Sequence, residues 1–438
     1  MALNRMAIRF TVFLTTLLLI AGCSQLTLPP LNTPLTADDI NSSKNSPRKY
    51  HRINAKQNRS DELTLILTFS GGGTRAAAFS YGVLKALRDA RIPGANRTLL
   101  DEVDLISSVS GGSFTSAYYG LYGKRIFKDY ERRFLKSPVQ SNLLKYLLLS
   151  PSNWIRLAPA LYERSDLVAD YYEKNIFGKK RFTDMRRDGP RIVINATDIA
   201  TGYGFAFTKI NFQRLCSNIS TYPVGRAVVA SSAVPVVFSP IVMKNYASEC
   251  KVRQSIPSPF KPYLHLVDGG VVDNLGIRSL LGLVEENHNN FWELMKAYKM
   301  VNNRNIVFIV VNASDAIPEQ IGQTRRSPST SATLGAVTTI QNQRYNQATL
   351  NLLKERFASW KRQVIKGRCA ATNRSDCADI HFQMAELNFN QLPAKLAEEL
   401  SHYETSLELT PQQVDQLIHA GEHLLRQSPV YRKLLHSQ

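Results

Sequence analysis

A chain of 438 residues holds material for one large domain or two average ones, and its 44% hydrophobic and 20% charged content excludes global disorder. The formal charge of +19 is out of the ordinary and calls for a polyanionic neighbour, either nucleic acid or an anionic membrane surface.

The first residues separate these two. Arg5 and Arg9 make a basic start, and Phe10 to Ile20 is an apolar run too short for a comfortable membrane span. It leads into Ile20-Ala21-Gly22-Cys23, which resembles the bacterial lipobox. That resemblance implies a signal peptide over residues 1–22, cleavage before Cys23, and acylation of both its thiol and its new amino group. Each buried CH₂ of such chains contributes about 0.8 kcal/mol, enough for durable anchoring. Ser24 stands where an aspartate would signal inner-membrane retention in enteric bacteria, so the expected address is the outer membrane. The alternative is a cleaved secretory signal with an incidental cysteine. Export argues against nucleic acid and for anionic lipid as the partner.

Residues 23–60, rich in Pro, Asn, Ser and Lys, are expected to be a flexible tether. Its basic cluster (Lys44, Arg48, Lys49, Arg52, Lys56, Arg59) and a second one from Lys124 to Arg133 are candidate headgroup contacts. Order is expected from Leu63 to Phe69, a buried parallel strand, followed by a glycine turn and a helix from Arg75 to Ala90. Val103 to Val109 reads as the next strand, and Gly111 opens another helix. Further strands are expected at Arg191 to Ile199, Phe205 to Thr208, Leu264 to Val267 and Ile306 to Val311, with a helix from Gly225 to Ser232. Beyond this the pattern turns helical, from Thr333 to Ile365 and from Pro411 to Gln427. The alternation predicts a three-layer α/β domain over residues 61–330 with a mostly parallel sheet. Residues 331–438 are expected to be a helical C-terminal extension packed on the same domain.

Apart from Cys23, four cysteines remain in an oxidising compartment: Cys216, Cys250, Cys369 and Cys377. Proximity suggests Cys216–Cys250 and Cys369–Cys377, although three connectivities are open. A zinc site is the rival, without a C-x-x-C or a histidine at ligand spacing nearby.

Four segments carry chemistry. Ser70-Gly71-Gly72-Gly73-Thr74-Arg75 joins a strand to a helix, and such a turn can aim backbone N–H groups at an oxyanion or a phosphate. The G-K-[ST] ending of a Walker loop is missing. Ser110, within Ser108-Val109-Ser110-Gly111-Gly112, occupies the centre of a G-x-S-x-G-like elbow. Asp268-Gly269-Gly270 follows a strand, with Asn274 four residues beyond Gly270, at the kind of strand end where open sheets place active sites. Asp198 ends another strand and is expected to orient a loop rather than to react.

Glycine loop, serine elbow and Asp-Gly-Gly, in this order, resemble the patatin-like phospholipase family, as does the stretch from Ala227 to Pro240. The resemblance spans about Leu65 to Ile277 and leaves the C-terminal helices uncovered. It implies a Ser–Asp dyad of Ser110 and Asp268, and an oxyanion hole from Gly71, Gly72 and Gly73. Arg75, Gly112, Gly269 and Asn274 would be supporting residues. It implies acyl-ester hydrolysis on membrane phospholipid or lysophospholipid, with no metal or cofactor. The pattern departs from the family's at Ser108 (for glycine), Ala76 (for glycine) and Leu275-Gly276 (where proline is frequent).

Two enzymatic alternatives and one silent one compete. A Ser-Asp-His triad would need a later histidine: His288, His381, His402, His419, His423 and His436 qualify by order, and His381, in a strand-like segment from Ala378 to Ala385, is the best of them. His419 to His423 matches an H-x-x-E-H zinc pattern, also readable as an amphipathic surface helix. A catalytically silent envelope lipoprotein would use the fold for binding alone.

Overall fold

The computed structural model describes residues 32–39, 59–149, 152–154, 163–235, 238–250, 258–315, 319–323, 325–371 and 376–436. Cys23, the expected signal peptide and the tether cations from Lys44 to Lys56 lie outside the described residues.

Apolar runs of five to eight residues, too short for stable helices, form most of an 8-stranded sheet. Its strands are β1 (Leu63–Phe69), β2 (Val103–Val109), β3 (Arg191–Asp198), β4 (Tyr203–Ala206), β5 (Ile241–Lys244), β6 (Tyr263–Asp268), β7 (Asn305–Asn312) and β8 (His381–Asn388). They lie in the order β5-β6-β3-β2-β1-β7-β8, with β4 paired to β3. β1, β2, β3, β7 and β8 are parallel to their neighbours in that core, which forces helical crossovers onto both faces. The two faces are apolar in alternation along β7. Val307, Ile309 and Val311 enter one core, while Ile306, Phe308 and Val310 enter the other. This is the three-layer α/β arrangement expected from the sequence.

Helices around the sheet include α1 (Gly73–Asp89), α2 (Gly111–Tyr122), α3 (Val139–Leu148), α4 (Val224–Ser232), α5 (Gly270–Asp273), α6 (Thr330–Ala371) and α7 (Pro411–Gln427). α1 and α7 meet at paired glycines. A Cβ on Gly82 would collide with the Ile418 carbonyl, and one on Gly421 with the Phe79 carbonyl. The two backbones therefore approach closer than ordinary side chains would permit.

Several expectations need correction. β6 runs antiparallel to β3, with Asp268 opposite Ala196, so Asp268 reaches the catalytic edge from the direction opposite to the parallel strands. The C-terminal region is helical except for β8, which pairs with β7 along its whole length and completes the sheet. β5 was not anticipated, because four residues give too short an alternation to read. Part of the expected tether is packed on the domain. The Asn32 side chain donates to Ser217 Oγ at 2.9 Å, Asn218 N–H donates to the Thr33 carbonyl at 2.9 Å, and Leu35 N–H to the Cys216 carbonyl at 2.8 Å. Arg59 is not a free tether cation either. It lies half-buried against Asp104 at 3.5 Å, and lost hydration lowers its pKa against the opposing pull of Asp104.

The second basic cluster is partly neutralised within the fold. Lys124 pairs with Asp101 at 3.3 Å, while Arg125 and Arg133 share Asp129 at 2.8 and 3.6 Å. These residues follow the C-terminal end of α2, at the edge of the sheet away from the strand tips described below. The four cysteines form Cys216–Cys250 and Cys369–Cys377.

Candidate active site

Ser110 sits between β2 and α2 with φ 48° and ψ −120°. A non-glycine residue holds this conformation only when its surroundings enforce it. Here they do. Ser110 N–H donates to Ser231 Oγ at 2.9 Å, and Ser231 Oγ donates to the Asn195 carbonyl at 2.6 Å. Ser113 Oγ lies 3.0 Å from Ser231 Oγ and donates to Ser108 Oγ at 3.2 Å, and Ser108 is a further 2.6 Å from Ser116. A ladder of buried hydroxyls thus pins the elbow to α4 and β3. Ser108, where the family has glycine, costs nothing because its hydroxyl is satisfied within this ladder. Ser231, Ser113 and Asn195 were not read as site residues, since a serine pointing inward carries no distinct signal in sequence.

Asp268 ends β6 and is buried. Its carboxylate faces the Ser110 side chain, whose hydroxyl favours the charged form, and Oδ1 accepts the Gly270 N–H at 2.7 Å. Burial pushes its pKa from 3.8 up to about 6, against the opposing pull of the Gly270 and Ser110 hydrogen bonds. Gly269 follows it, its N–H held by the Ser231 carbonyl at 3.2 Å, so one α4 residue braces both halves of the pair.

The glycine loop lies beside the elbow. Gly72 and Gly73 have φ 133° and 56°, backbone that L side chains seldom adopt, and a Cβ on Gly71 would come within 3.3 Å of that of Ser110. Gly71 N–H is committed to the Asn274 carbonyl at 3.1 Å, which removes it from the expected set of oxyanion donors. The N–H groups of Gly72, Gly73 and Gly111 have no acceptor among the described residues. Gly73 and Gly111 are first residues of α1 and α2, where unsatisfied donors and the helix dipole coincide. Gly112 N–H donates to the Ser70 carbonyl at 3.2 Å, locking the two turns together.

Asn274 steadies the loop from the far side, its amide donating to Ser314 Oγ at 3.1 Å, which also accepts from Asn346 of α6 at 2.8 Å. Arg75 points away from Ser110. It is fully buried, pairs with Asp315, and donates to the carbonyls of Ala313 (3.0 Å from Nε) and Tyr403. Thr74 N–H donates to the Ser406 carbonyl at 2.8 Å. The C-terminal region therefore braces the start of α1. Asp198 orients its loop as expected, accepting from His265 N–H at 2.9 Å and from Thr201 Oγ1 at 2.6 Å.

The rival histidines are elsewhere. His381 begins β8 opposite Asn305, seven residues from the catalytic end of that ladder and thus roughly 20 Å away along the strand. It bonds Asp379 at 2.9 Å. Glu422 of the H-x-x-E-H segment is engaged by Lys85 at 2.9 Å and Arg426 at 3.2 Å.

Residues 67–281 match the family model of patatin-like phospholipases. No curated protein matches the chain. Among solved structures it is similar to human GIVD cytosolic phospholipase A2, at 13% identity and a TM-score of 0.46, with 86% of this chain and 60% of that one covered. The chain thus spans about three fifths of the human protein's length. VipD from Legionella pneumophila matches at 11% identity and a TM-score of 0.31, over 86% of this chain and 67% of that one.

Proposed function

We propose that the protein is a lipid acyl hydrolase working through the Ser110–Asp268 dyad. The observation that carries this reading is the Ser110 hydroxyl, presented on a strained elbow beside a buried carboxylate whose charged form it favours, next to three N–H groups without an acceptor among the described residues. Ser110 Oγ attacks the acyl carbonyl while Asp268 takes its proton. The tetrahedral oxyanion faces the N–H groups of Gly72, Gly73 and Gly111, a charge-stabilising arrangement in which one donor typically contributes about 10²–10³ in rate. Collapse breaks the ester bond, and the leaving alkoxide takes the proton from Asp268. Water, deprotonated by Asp268, then attacks the acyl carbonyl, and Asp268 returns that proton to Ser110 Oγ as the acyl–Oγ bond breaks and the fatty acid leaves. A carboxylate base at about 6 is better matched to neutral pH than one at 3.8.

The lipobox-like ending at Cys23 supports a second element of the reading: a lipid-anchored protein of the bacterial outer membrane, acting on glycerophospholipid or lysophospholipid of the envelope. Product analysis on bacterial lipid extracts tests the activity. Purified wild type should release free fatty acid and the matching lysolipid or deacylated headgroup, and Ser110→Ala should release neither. Equal release by both proteins would remove the dyad.

A further inference from the structure

The large apolar side chains that stand exposed are not spread over the molecule. Ile199 and Tyr203 flank the turn that leaves the catalytic end of β3, and Tyr263 begins β6, which enters from that same end. Val234 directly follows Ala233, whose carbonyl holds Asp268 N–H, and Val271 lies in α5 three residues after Asp268. Leu144, Leu148 and Leu149, on α3 and just past it, are joined to the same edge through the 406–408 segment. Gln140 accepts from Leu407 N–H, Glu408 from Ser141 N–H, and Ser406 from Thr74 N–H beside the glycine loop. On α6, Val337, Ile340 and Tyr345 adjoin Gln343 and Asn346, which bond Asp315 and Ser314 just beyond the catalytic end of β7. Val301, ahead of β7, is the one exposed large aliphatic side chain at the opposite edge among the described residues.

Exposed cations are interleaved with this rim. Lys145 lies between Leu144 and Leu148, Lys261 precedes Tyr263, and Arg344 precedes Tyr345, and none of the three forms an ion pair with a described residue. Arg278 stacks on exposed Tyr345, 5.5 Å from the ring centroid. Asp315 and Glu249, acids of the same edge, are paired to Arg75 and Lys244. At the opposite edge Lys124, Arg125 and Arg133 are matched by acids, while exposed Lys128 and Arg132 form no ion pair with a described residue. The docked segment 32–39 also meets the domain at this edge, since Tyr246 Oη donates to the Asn32 carbonyl and Lys244, which Asn32 also contacts, pairs with Tyr263.

We infer that this rim is a docking surface for an anionic phospholipid bilayer, which holds the mouth of the Ser110 site against its substrate. A bilayer is the occupant that fits, because apolar side chains enter the acyl boundary while interleaved cations meet the headgroups. A protein partner would more usually meet one compact apolar core with charge kept to its rim. The inference rests on the acyl-hydrolase reading, and its test separates the two.

The experiment uses the full chain with a Leu144→Ser, Leu148→Ser, Tyr203→Ser rim variant, a Val301→Ser control and a Lys145→Gln, Lys261→Gln, Arg344→Gln charge variant. Co-sedimentation is followed with vesicles of phosphatidylcholine and phosphatidylglycerol, beside hydrolysis of vesicle lipid and of a water-soluble short-chain ester. The rim variant should lose vesicle binding and vesicle hydrolysis by about tenfold or more, with soluble-ester turnover kept. The charge variant should bind anionic vesicles as weakly at low salt as wild type does at high salt. Val301→Ser should change neither. Wild-type vesicle binding by the rim variant overturns the inference, and so does a shift from dimer to monomer with vesicle binding intact, which would make the rim a self-association face. Absence of soluble-ester turnover in the wild type instead overturns the hydrolase reading, while co-sedimentation still judges the rim.

Discussion

Asp268 stays protonated to a higher pH in the folded chain than an exposed aspartate would, because burial penalises its charge. Two consequences follow from that direction. As a base it must be ionised, so kcat/KM should rise with pH through an apparent pKa of about 6 rather than near 3.8, as read in a pH–rate profile on a soluble ester. As a buried charge it weakens the fold. Below 3.8 it is neutral in both states, and its favourable contribution is present there and lost as pH rises through about 6. Asp268→Asn, neutral at every pH, should therefore raise the melting temperature at pH 8 and leave it little changed at pH 3.5. The same substitution should lower kcat by roughly 10³-fold or more, as should Ser110→Ala, with the double variant little worse than either. Activity above about a tenth of wild type in either single variant would contradict a dyad acting as one unit. Ser110, Asp268 and the glycine loop were legible in sequence because turn, nucleophile and base occupy junctions with recognisable spacing. The hydroxyl ladder through Ser231 and Ser113 was not, since only the folded chain brings Ser113 and Ser231 together. The commitment of Gly71 N–H to Asn274 was hidden for the same reason.

At the scale of elements, the parallel core strands were readable from buried apolar runs, whereas direction was not. Nothing in Tyr263–Asp268 distinguishes an antiparallel strand from a parallel one; the pairing to β3 decides it. The C-terminal region was legible as helices, with a strand-like stretch at Ala378 to Ala385, but not as a part of the site. The α1–α7 crossing and the contacts of Tyr403 and Ser406 with Arg75 and Thr74 make it the brace of the glycine loop. Gly421→Leu should force these helices apart, costing about 2 kcal/mol of stability as measured by urea denaturation. It should also lower kcat more than it alters KM, because the oxyanion donors move with α1. A stable variant with unchanged turnover would mean that the crossing tolerates a side chain and that α7 does not set the loop.

For the whole molecule, composition pointed to an anionic partner but not to where the charge acts. Arg59 and the 124–133 cluster are partly spent on internal acids, and the unpaired cations described above stand instead among apolar side chains at the catalytic edge. Export and anchoring rest on the sequence around Cys23. Metabolic palmitate labelling should mark the wild type and not Cys23→Ser, and an unlabelled wild type would contradict the anchor. The central claim, an activated serine at residue 110, is tested most directly by a serine-directed fluorophosphonate followed by intact mass and peptide mapping. One adduct should form, on Ser110, at a rate that increases with pH through about 6 and that collapses in Asp268→Asn. No adduct, or labelling at the same rate in Asp268→Asn, would contradict it.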